Sequence, residues 1–341
     1  MHCQHEGSKW GKIKTNMVVD IAIPASAEGH LRRLDMRRDL EKVANLVELC
    51  FYDTLDPEGK QYLKEMRRAA QNANLLGWAS SMIDEAPMPP SGFVWEEDGR
   101  LVGNLSLIPI NLQGKRGYMI ANVATHPEYR GRGIARALTL TALDYARSRN
   151  AVSSWLQVRD DNPSAIHIYK TSGFKECFRR TSWYSGPNIG VNPPTAGIKV
   201  GKRRPDQWPQ HQDWLKRIYP PDLEWNLPFD WNLFRMDILG RVYRLFSLEN
   251  PQHWGVENNA ELKGILTWRH IRGYTDPLWL ATPEQVDAEA ILVLLSKART
   301  HIKQLQPLSL NYPAGVAVDV LRQGGFYPHQ TLIWMEYKYQ Q

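Results

Sequence analysis

The chain of 341 residues has the composition of a globular protein. A hydrophobic fraction of 43% and a charged fraction of 23% exclude a wholly disordered chain and a low-complexity fibre. At ~150 residues per domain, the length predicts two domains. Lys and Arg number 42 against 36 Asp and Glu, and the net charge of +6 lies in short clusters. This pattern disfavours a nucleic-acid-binding protein.

The number of cysteines and the lengths of the apolar runs limit the cellular settings that the sequence predicts. Cys3, Cys50 and Cys177 are too few for a disulfide framework and form no metal-ligand pair. We therefore expect a reducing, cytoplasmic setting, with no metal. No apolar run approaches the ~20 residues of a membrane helix, so no membrane partner is expected. Residues 1–30 are predicted to be a tail or an over-long start, with Met17 as an alternative initiator.

Predicted strands and helices alternate along the first half of the chain. In chain order they are a strand at 31–36, helices at 39–51 and 57–71, a loop at 86–90, a hairpin at 93–107 around Asp98-Gly99, a strand at 118–125, a helix at 133–149, a strand at 153–158, a helix at 162–172 and a strand at 176–184. This order predicts an α/β domain over 31–185. Prolines and glycines then predict a linker at 186–204, before a second domain at 205–341.

A turn with two glycines, Arg130-Gly131-Arg132-Gly133, joins a predicted strand to a predicted helix. The first amides of a helix lack partners within it and carry partial positive charge. Glycines allow a phosphate to approach such amides closely. The turn therefore predicts an anion site, to which the two arginines add charge. It is not a nucleotide P-loop, because no Gly-Lys-Ser/Thr follows, and Arg136 breaks the dinucleotide fingerprint.

Two separated motifs resemble those of one family. Arg130-x-x-Gly133-x-Ala135 resembles the acetyl-CoA signature of the GNAT N-acetyltransferases, and Asn162 to Phe174 resembles the second motif of that family. The likeness covers about 31–184. It implies an α/β (α+β) fold with a mixed, mostly antiparallel, twisted sheet flanked by helices. It also implies an acyltransferase that moves an acetyl group from acetyl-CoA to a primary amine by direct attack in a ternary complex.

The resemblance further implies roles for particular residues. The amides of 131–135 would hold the CoA pyrophosphate, and 123–125 would pair with the pantetheine arm and polarise the thioester carbonyl. Tyr169 would protonate the departing thiolate, although a place in the core is its alternative. The predicted catalytic residues are Tyr169 and Asn122, and the predicted cofactor-binding residues are Val123, Ala124, Thr125, Arg130, Gly131, Arg132, Gly133, Ile134, Ala135 and Asn162.

The general base has no candidate on the predicted central strand. An acceptor ammonium must lose a proton before it attacks, and many GNAT enzymes place a carboxylate on the central strand for this step. Here 118–124 contains no acid, and Asn122 cannot act as a base. The base could come from the second half or from water, or it could be unnecessary for an amine of low pKa.

Residues 198–341 repeat the plan of the first half. The run 254–268 parallels the hairpin 93–107, and Gly325-Phe326 matches Gly173-Phe174. This indicates a tandem GNAT arrangement; an unrelated α/β domain is the alternative. The copy is degenerate, because 285–290 has no glycine and contains Asp287 and Glu289 where a phosphate would approach. Leu321 stands in the place of Tyr169 and Ala314 in that of Asn162.

The acceptor remains open among small-molecule amines, peptide amines and protein lysines. Most of the 13 tryptophans lie in the second half, where one or two could line a pocket for it. An oligomer is possible but has no support in the sequence. A non-catalytic acyl-CoA-binding sensor or interaction module is the alternative function, and the missing base favours it.

Overall fold

The computed structural model describes residues 30–71, 91–185, 198–223, 225–226, 234–235, 251–270, 274–302 and 306–340. The predicted loop at 86–90 and the linker residues 186–197 lie outside them. The first half contains β1 (Leu31–Arg33), α1 (Met36–Phe51), α2 (Pro57–Gln71), β2 (Ser91–Glu97), β3 (Arg100–Leu112), β4 (Lys115–Thr125), α3 (Ile134–Ser148), β5 (Ser153–Arg159), α4 (Pro163–Thr171) and β6 (Lys175–Ser185). The second half contains β7 (Ile198–Lys202), α5 (Trp208–Ile218), β8 (Gln252–Asn258), β9 (Glu261–Trp268), β10 (Asp276–Ala281), α6 (Ala288–His301), β11 (Leu308–Pro313), α7 (Val318–Gln323) and β12 (Phe326–Lys338).

Two boundaries differ from the sequence prediction. The first strand ends at Arg33 rather than at residue 36, because Asp35 caps a helix by accepting a hydrogen bond of 3.0 Å from the Arg37 amide. At the other boundary, residues 198–202 of the predicted linker form a strand that pairs with β8.

The two hairpins have the same construction. β2 pairs with β3 and β8 pairs with β9, and each pairing has one register shift, after Trp95 and after Val256. A Cβ on Gly103 would come within 2.7 Å of α3, and one on Gly264 within 3.1 Å of α6. Each hairpin therefore packs closely against the helix that follows it, as the repeat in the sequence predicted.

All twelve described strands form one sheet, in the order β1-β2-β3-β4-β5-β12-β6-β11-β10-β9-β8-β7. The last strand of each half lies among strands of the other half. β12 runs antiparallel between β5 and β6, while β6 runs antiparallel between β12 and β11. The two halves therefore share their central strands, so that each completes the sheet of the other.

Helices cover both faces of the sheet in the first half. Helices α1 and α2 pack through Leu40, Val43 and Met66 in one apolar cluster, and α3 packs through Leu138 and Leu143 in another. A further cluster surrounds α5 and α6 in the second half. In the described part of the chain, no helix has both the length and the apolar character needed to cross a membrane.

Candidate active site

Strands β4 and β5 separate at the centre of the first half. They pair in parallel from Gly117 to Ile120 of β4 and from Ser153 to Leu156 of β5. Among the described residues their pairing stops there, although β4 continues to Thr125 and β5 to Arg159. Backbone groups of β4 beyond Ile120 that do not pair with β3 therefore face an open gap.

A bulge lies at the point where the strands separate. The register between β3 and β4 shifts between Asn104 and Ser106, and Asn122 has a φ of 51° in the left-handed region. Asn104 is fully buried, and its side-chain amide donates a hydrogen bond of 2.9 Å to the Asn122 carbonyl. This bond stabilises the conformation that turns the following residues, Val123 and Ala124, along the gap.

The predicted anion cradle begins α3. Gly131 and Gly133 both have a φ of 79°, which glycine adopts without steric cost. No other described atom lies within 4 Å of where their Cβ atoms would be, so the space beside them is open. Gly133 provides no side chain to cap the helix, which leaves its first amides available.

A cavity of about 920 Å³ joins this turn to the gap between the strands. We call it the cradle cavity. It is lined by Cys50, Phe51, Val123, Ala124, Thr125, Tyr129, Arg130, Gly131, Gly133, Ile134, Ala135, Arg136, Asn162, Pro163, Ser164, Ala165, His167 and Ile168. The structure thus brings all the predicted cofactor-binding residues to one cavity except Arg132.

The arginines of the turn have different environments. Arg130 lines the cradle cavity, as does Arg136, which the sequence analysis did not select because it appeared only as a break in a glycine pattern. The guanidinium of Arg132 instead lies 3.2 Å from Glu97 and 4.7 Å from the centre of the Tyr129 ring. Contact between Arg132 and CoA therefore stays a prediction.

Asn162 caps a helix and lines two cavities, and its contact with CoA stays a prediction. Its side-chain oxygen accepts a hydrogen bond of 3.0 Å from the Ala165 amide and so caps α4. It also lines both the cradle cavity and a neighbouring cavity.

The neighbouring cavity, which we call the gap cavity, has a volume of about 290 Å³. Tyr169 lines it, although the Tyr169 ring also packs 6.0 Å from that of Phe174 in the core. The side chain is therefore both a core residue and a wall of the site. Burial raises the pKa of Tyr169 above its ordinary value of about 10, so the phenol stays protonated at neutral pH.

Asn122 also lines the gap cavity, where it contacts a tyrosine that the sequence analysis missed. Its side-chain amide donates hydrogen bonds of 3.2 Å to the Tyr62 hydroxyl and 3.3 Å to the Ser106 hydroxyl. Burial raises the pKa of Tyr62 to about 12. Only the contact between α2 and β4 reveals Tyr62, because no motif surrounds it.

The second half contributes directly to the gap cavity. Gln330 and Leu332 of β12 line it together with Gln157 and Arg159 of β5. His329 lies 3.9 Å from Asp56, at the link between α1 and α2. Among the described residues that line the gap cavity, none is a carboxylate.

The equivalent turn in the second half is closed by its own side chain. The Asp287 carboxylate accepts a hydrogen bond of 3.0 Å from the Ala290 amide, at the start of α6. This bond occupies a helix amide of the kind that an anion would bind. Helix α7 begins after Ala317 rather than after Ala314, so the predicted equivalent of Asn162 is displaced by three residues.

Comparison with known proteins identifies this region. Residues 41–174 match the model of the acetyltransferase (GNAT) family. This part of the chain is a GNAT acetyltransferase domain. The match spans the gap, the bulge, the cradle turn and α4, and so contains all the predicted site residues.

Relatives and solved structures agree with this assignment. The streptothricin acetyltransferase of Streptomyces lavendulae is 40% identical over 67 residues, which span 20% of this chain and 35% of that protein. The N-alpha-acetyltransferase RimI of Mycobacterium tuberculosis is 29% identical over 118 residues, 31% of this chain and 73% of that one. A GCN5-related N-acetyltransferase from Sphaerobacter thermophilus has a similar fold, with a TM-score of 0.52 at 12% identity, covering 90% of this chain and 95% of that one.

The described residues also bear on metal binding. They contain no group of three or more His, Cys, Asp or Glu side chains that could hold a metal ion.

Proposed function

We propose that this protein is an acetyl-CoA-dependent N-acetyltransferase whose active site lies in the first half. The observation that carries the proposal is the cradle cavity, which connects the turn at Gly131 and Gly133 and the open amides at the start of α3 to the free edge of β4. Acetyl-CoA is a substrate with a diphosphate at one end and a thioester at the other. A polar cradle that opens into a narrow gap between strands fits both ends.

The first step is to hold and orient the thioester. The amides at the start of α3 bind the pyrophosphate, and Arg130 and Arg136 add positive charge. The β4 backbone from Val123 to Thr125 pairs with the pantetheine arm. An amide at this strand end donates to the thioester oxygen and stabilises the negative charge that develops there during attack.

The second step is the attack by the amine and the departure of the thiolate. The amine nitrogen forms a bond to the thioester carbon, and the bond from that carbon to sulfur breaks. Tyr169 donates its proton to the leaving thiolate, whose conjugate acid has a pKa of ~8.5, and regains a proton, through water, from the nitrogen that has attacked. Asn122 positions the reacting groups through its bond to Tyr62 rather than by accepting a proton.

The acceptor ammonium must lose its proton before attack. Because the described lining of the gap cavity lacks a carboxylate, we propose that the proton leaves to water. This requirement makes the rate rise with pH as the free amine becomes more abundant.

The second half acts as a degenerate copy that builds the acceptor side of the site. Asp287 occupies its own helix start, while β12 contributes to the wall of the gap cavity. The competing function, a non-catalytic acyl-CoA-binding module, is favoured by the missing base. Tyr169 beside the gap cavity favours the enzyme.

The decisive experiment combines CoA calorimetry with an acetyl-transfer assay over a broad amine panel. We expect CoA to bind and at least one primary amine to be acetylated. Gly133→Val should weaken CoA binding at least tenfold, because its Cβ branch enters the open side of the cradle. CoA binding without turnover of any amine would favour the sensor, and the absence of CoA binding would refute both functions.

A further inference from the structure

A third cavity, which the acetyl-transfer chemistry does not use, shares lining residues with the gap cavity. This inter-half cavity has a volume of about 290 Å³ and is lined by Gln157, Ser182, Tyr184, Tyr219, Asn226, Thr275, Pro277, Leu278, Trp279, Ser309, Leu310, Asn311, Leu332 and Trp334. Gln157 and Leu332 line the gap cavity as well. The two cavities therefore adjoin at Gln157 and Leu332, which places the inter-half cavity next to the cavity that Tyr169 lines.

The junction between the two cavities presents hydrogen-bond donors without partners. Both the side-chain amide nitrogen of Gln157 and the indole nitrogen of Trp334 are buried and lack a hydrogen bond. A buried donor without an acceptor is energetically costly, because it has given up its hydrogen bonds to water. Two such donors at one junction fit a ligand that carries oxygen acceptors at matching places.

The charges around the gap cavity and the inter-half cavity disfavour an acceptor that carries a second positive charge. None of the described side chains lining the inter-half cavity is charged, and the sole charged one lining the gap cavity, Arg159, is paired with Asp161 at 2.6 Å. Arg180 lies buried next to Asn311 and donates hydrogen bonds of 2.6 Å to the Ile218 carbonyl and 2.8 Å to the Asn311 carbonyl. Because neutral oxygens receive these bonds, its positive charge is not neutralised there.

The strands beneath the inter-half cavity leave no backbone edge for a peptide. β12 pairs with β5 and β6, β6 with β12 and β11, and β11 with β6 and β10. Peptides commonly bind to such sheets by adding a strand at a free edge. An acceptor in the inter-half cavity must therefore be recognised by side chains. The lining combines aromatic rings with amides and hydroxyls, which suit a polyhydroxylated ring.

We propose that the acceptor is an amino sugar with one amine, attached to a second uncharged ring that occupies the inter-half cavity. This proposal rests on the proposed acetyltransferase function and specifies its acceptor class. The amine lies in the gap cavity. Ring or linkage oxygens accept hydrogen bonds from Gln157 and Trp334, and the second ring lies against Tyr184 and Ser182.

The experiment compares kcat/KM for four primary amines on the full chain: a disaccharide with one amino group, the corresponding amino monosaccharide, spermidine, and a tripeptide with a free N-terminus. We expect the disaccharide to exceed the other three by at least tenfold. Gln157→Leu should remove at least tenfold of that advantage. Ser182→Leu, which fills the inter-half cavity, should also abolish it while leaving the monosaccharide rate within about twofold.

A matched control variant distinguishes loss of the hydrogen bond from Trp334 to the acceptor from the general effect of removing a buried indole. Trp334→Phe should reduce the disaccharide kcat/KM, whereas Trp183→Phe should not, since Trp183 also has a buried, unpartnered indole nitrogen but lines neither cavity. Equal kcat/KM for disaccharide and monosaccharide, or preference for the tripeptide or spermidine, would overturn the acceptor class while leaving the acetyltransferase intact. If none of the four is acetylated, the acceptor class is overturned, and the broad amine panel then decides the function.

Discussion

At the scale of single residues, the site depends on side chains that have both a structural and a chemical environment. Tyr169 is 7% exposed and packs against Phe174, yet it lines the cavity where the amine would react. Burial disfavours the phenolate, so the proton that a leaving thiolate needs is retained. The same burial makes the phenol a weaker acid than the thiol that it protonates, so the proton transfer depends on a direct hydrogen bond from Tyr169 to the leaving sulfur.

We predict that Tyr169→Phe lowers kcat by ~100-fold or more, in the range usual for loss of a general acid. The CoA dissociation constant should change by less than about twofold, because the ring remains. Stopped-assay kinetics and calorimetry measure the two quantities. A kcat within about threefold of the wild-type value would exclude Tyr169 as the acid.

The pH dependence follows from the same shift. Because burial raises the pKa of Tyr169, we expect no loss of kcat from its ionisation between pH 7 and about pH 10. The rate should instead rise over this range as the acceptor amine loses its proton. A descending limb below about pH 9 that disappears in Tyr169→Phe would contradict the assignment.

At the scale of elements, short loops and bulges decide where backbone groups are free. The bulge at Asn122 directs β4 along the gap, and the bond from Asn104 to its carbonyl maintains that conformation. The turn at Gly131 and Gly133 frees the amides of α3, while Asp287 occupies one amide at the start of α6. Two helices in equivalent positions therefore differ in whether an anion can reach them.

We predict that Asn104→Ala destabilises the fold by ~1–3 kcal/mol, because it removes a buried donor from the Asn122 carbonyl. It should also lower kcat and raise the KM for acetyl-CoA, since the bulge directs the backbone from Val123 to Thr125 along the cradle cavity. Urea denaturation and steady-state kinetics test both effects. Asn111→Ala, at an exposed turn of the same strand, serves as the control.

The two hairpin turns offer a matched pair of substitutions. Asp98-Gly99 has φ values of 49° and 76°, and Asn259-Ala260 has 52° and 63°. A left-handed Ala costs ~1–2 kcal/mol more than Gly. Ala260→Gly should therefore raise the free energy of unfolding by about 1 kcal/mol, and Gly99→Ala should lower it by a similar amount. An Ala260→Gly variant less stable than the wild type, or a Gly99→Ala variant more stable than it, would contradict this prediction.

At the scale of the whole molecule, the two halves form one sheet by exchanging their last strands. β12 pairs with β5 over seven positions, from Leu332 opposite Arg159 to Lys338 opposite Ser153. Without the second half, β5 and β6 would both present unpaired central edges. The acceptor wall formed by Gln330 and Leu332 would also be missing.

We predict that residues 30–185 expressed alone are insoluble or aggregate, because unpaired central edges recruit other chains. Co-expression with residues 186–341 should restore a soluble 1:1 complex, which size-exclusion chromatography would detect. A soluble, monomeric and active fragment 30–185 would show that strand exchange is unnecessary for the fold.

The sequence by itself determined the features that depend on neighbouring residues: both hairpins and the helix after Gly133. Turn chemistry and helix caps act over a few residues, so a local pattern is enough to predict them. At Met36 the local pattern gave a wrong prediction: the predicted strand ran to this residue, whereas Asp35 caps a helix that begins there. Only the tertiary structure decided that β12 enters between β5 and β6 and that Tyr62 meets Asn122. Likewise, it alone placed Gln157 between two cavities. These contacts join segments far apart in the chain, and their partners are selected by packing and strand register, which no local pattern records.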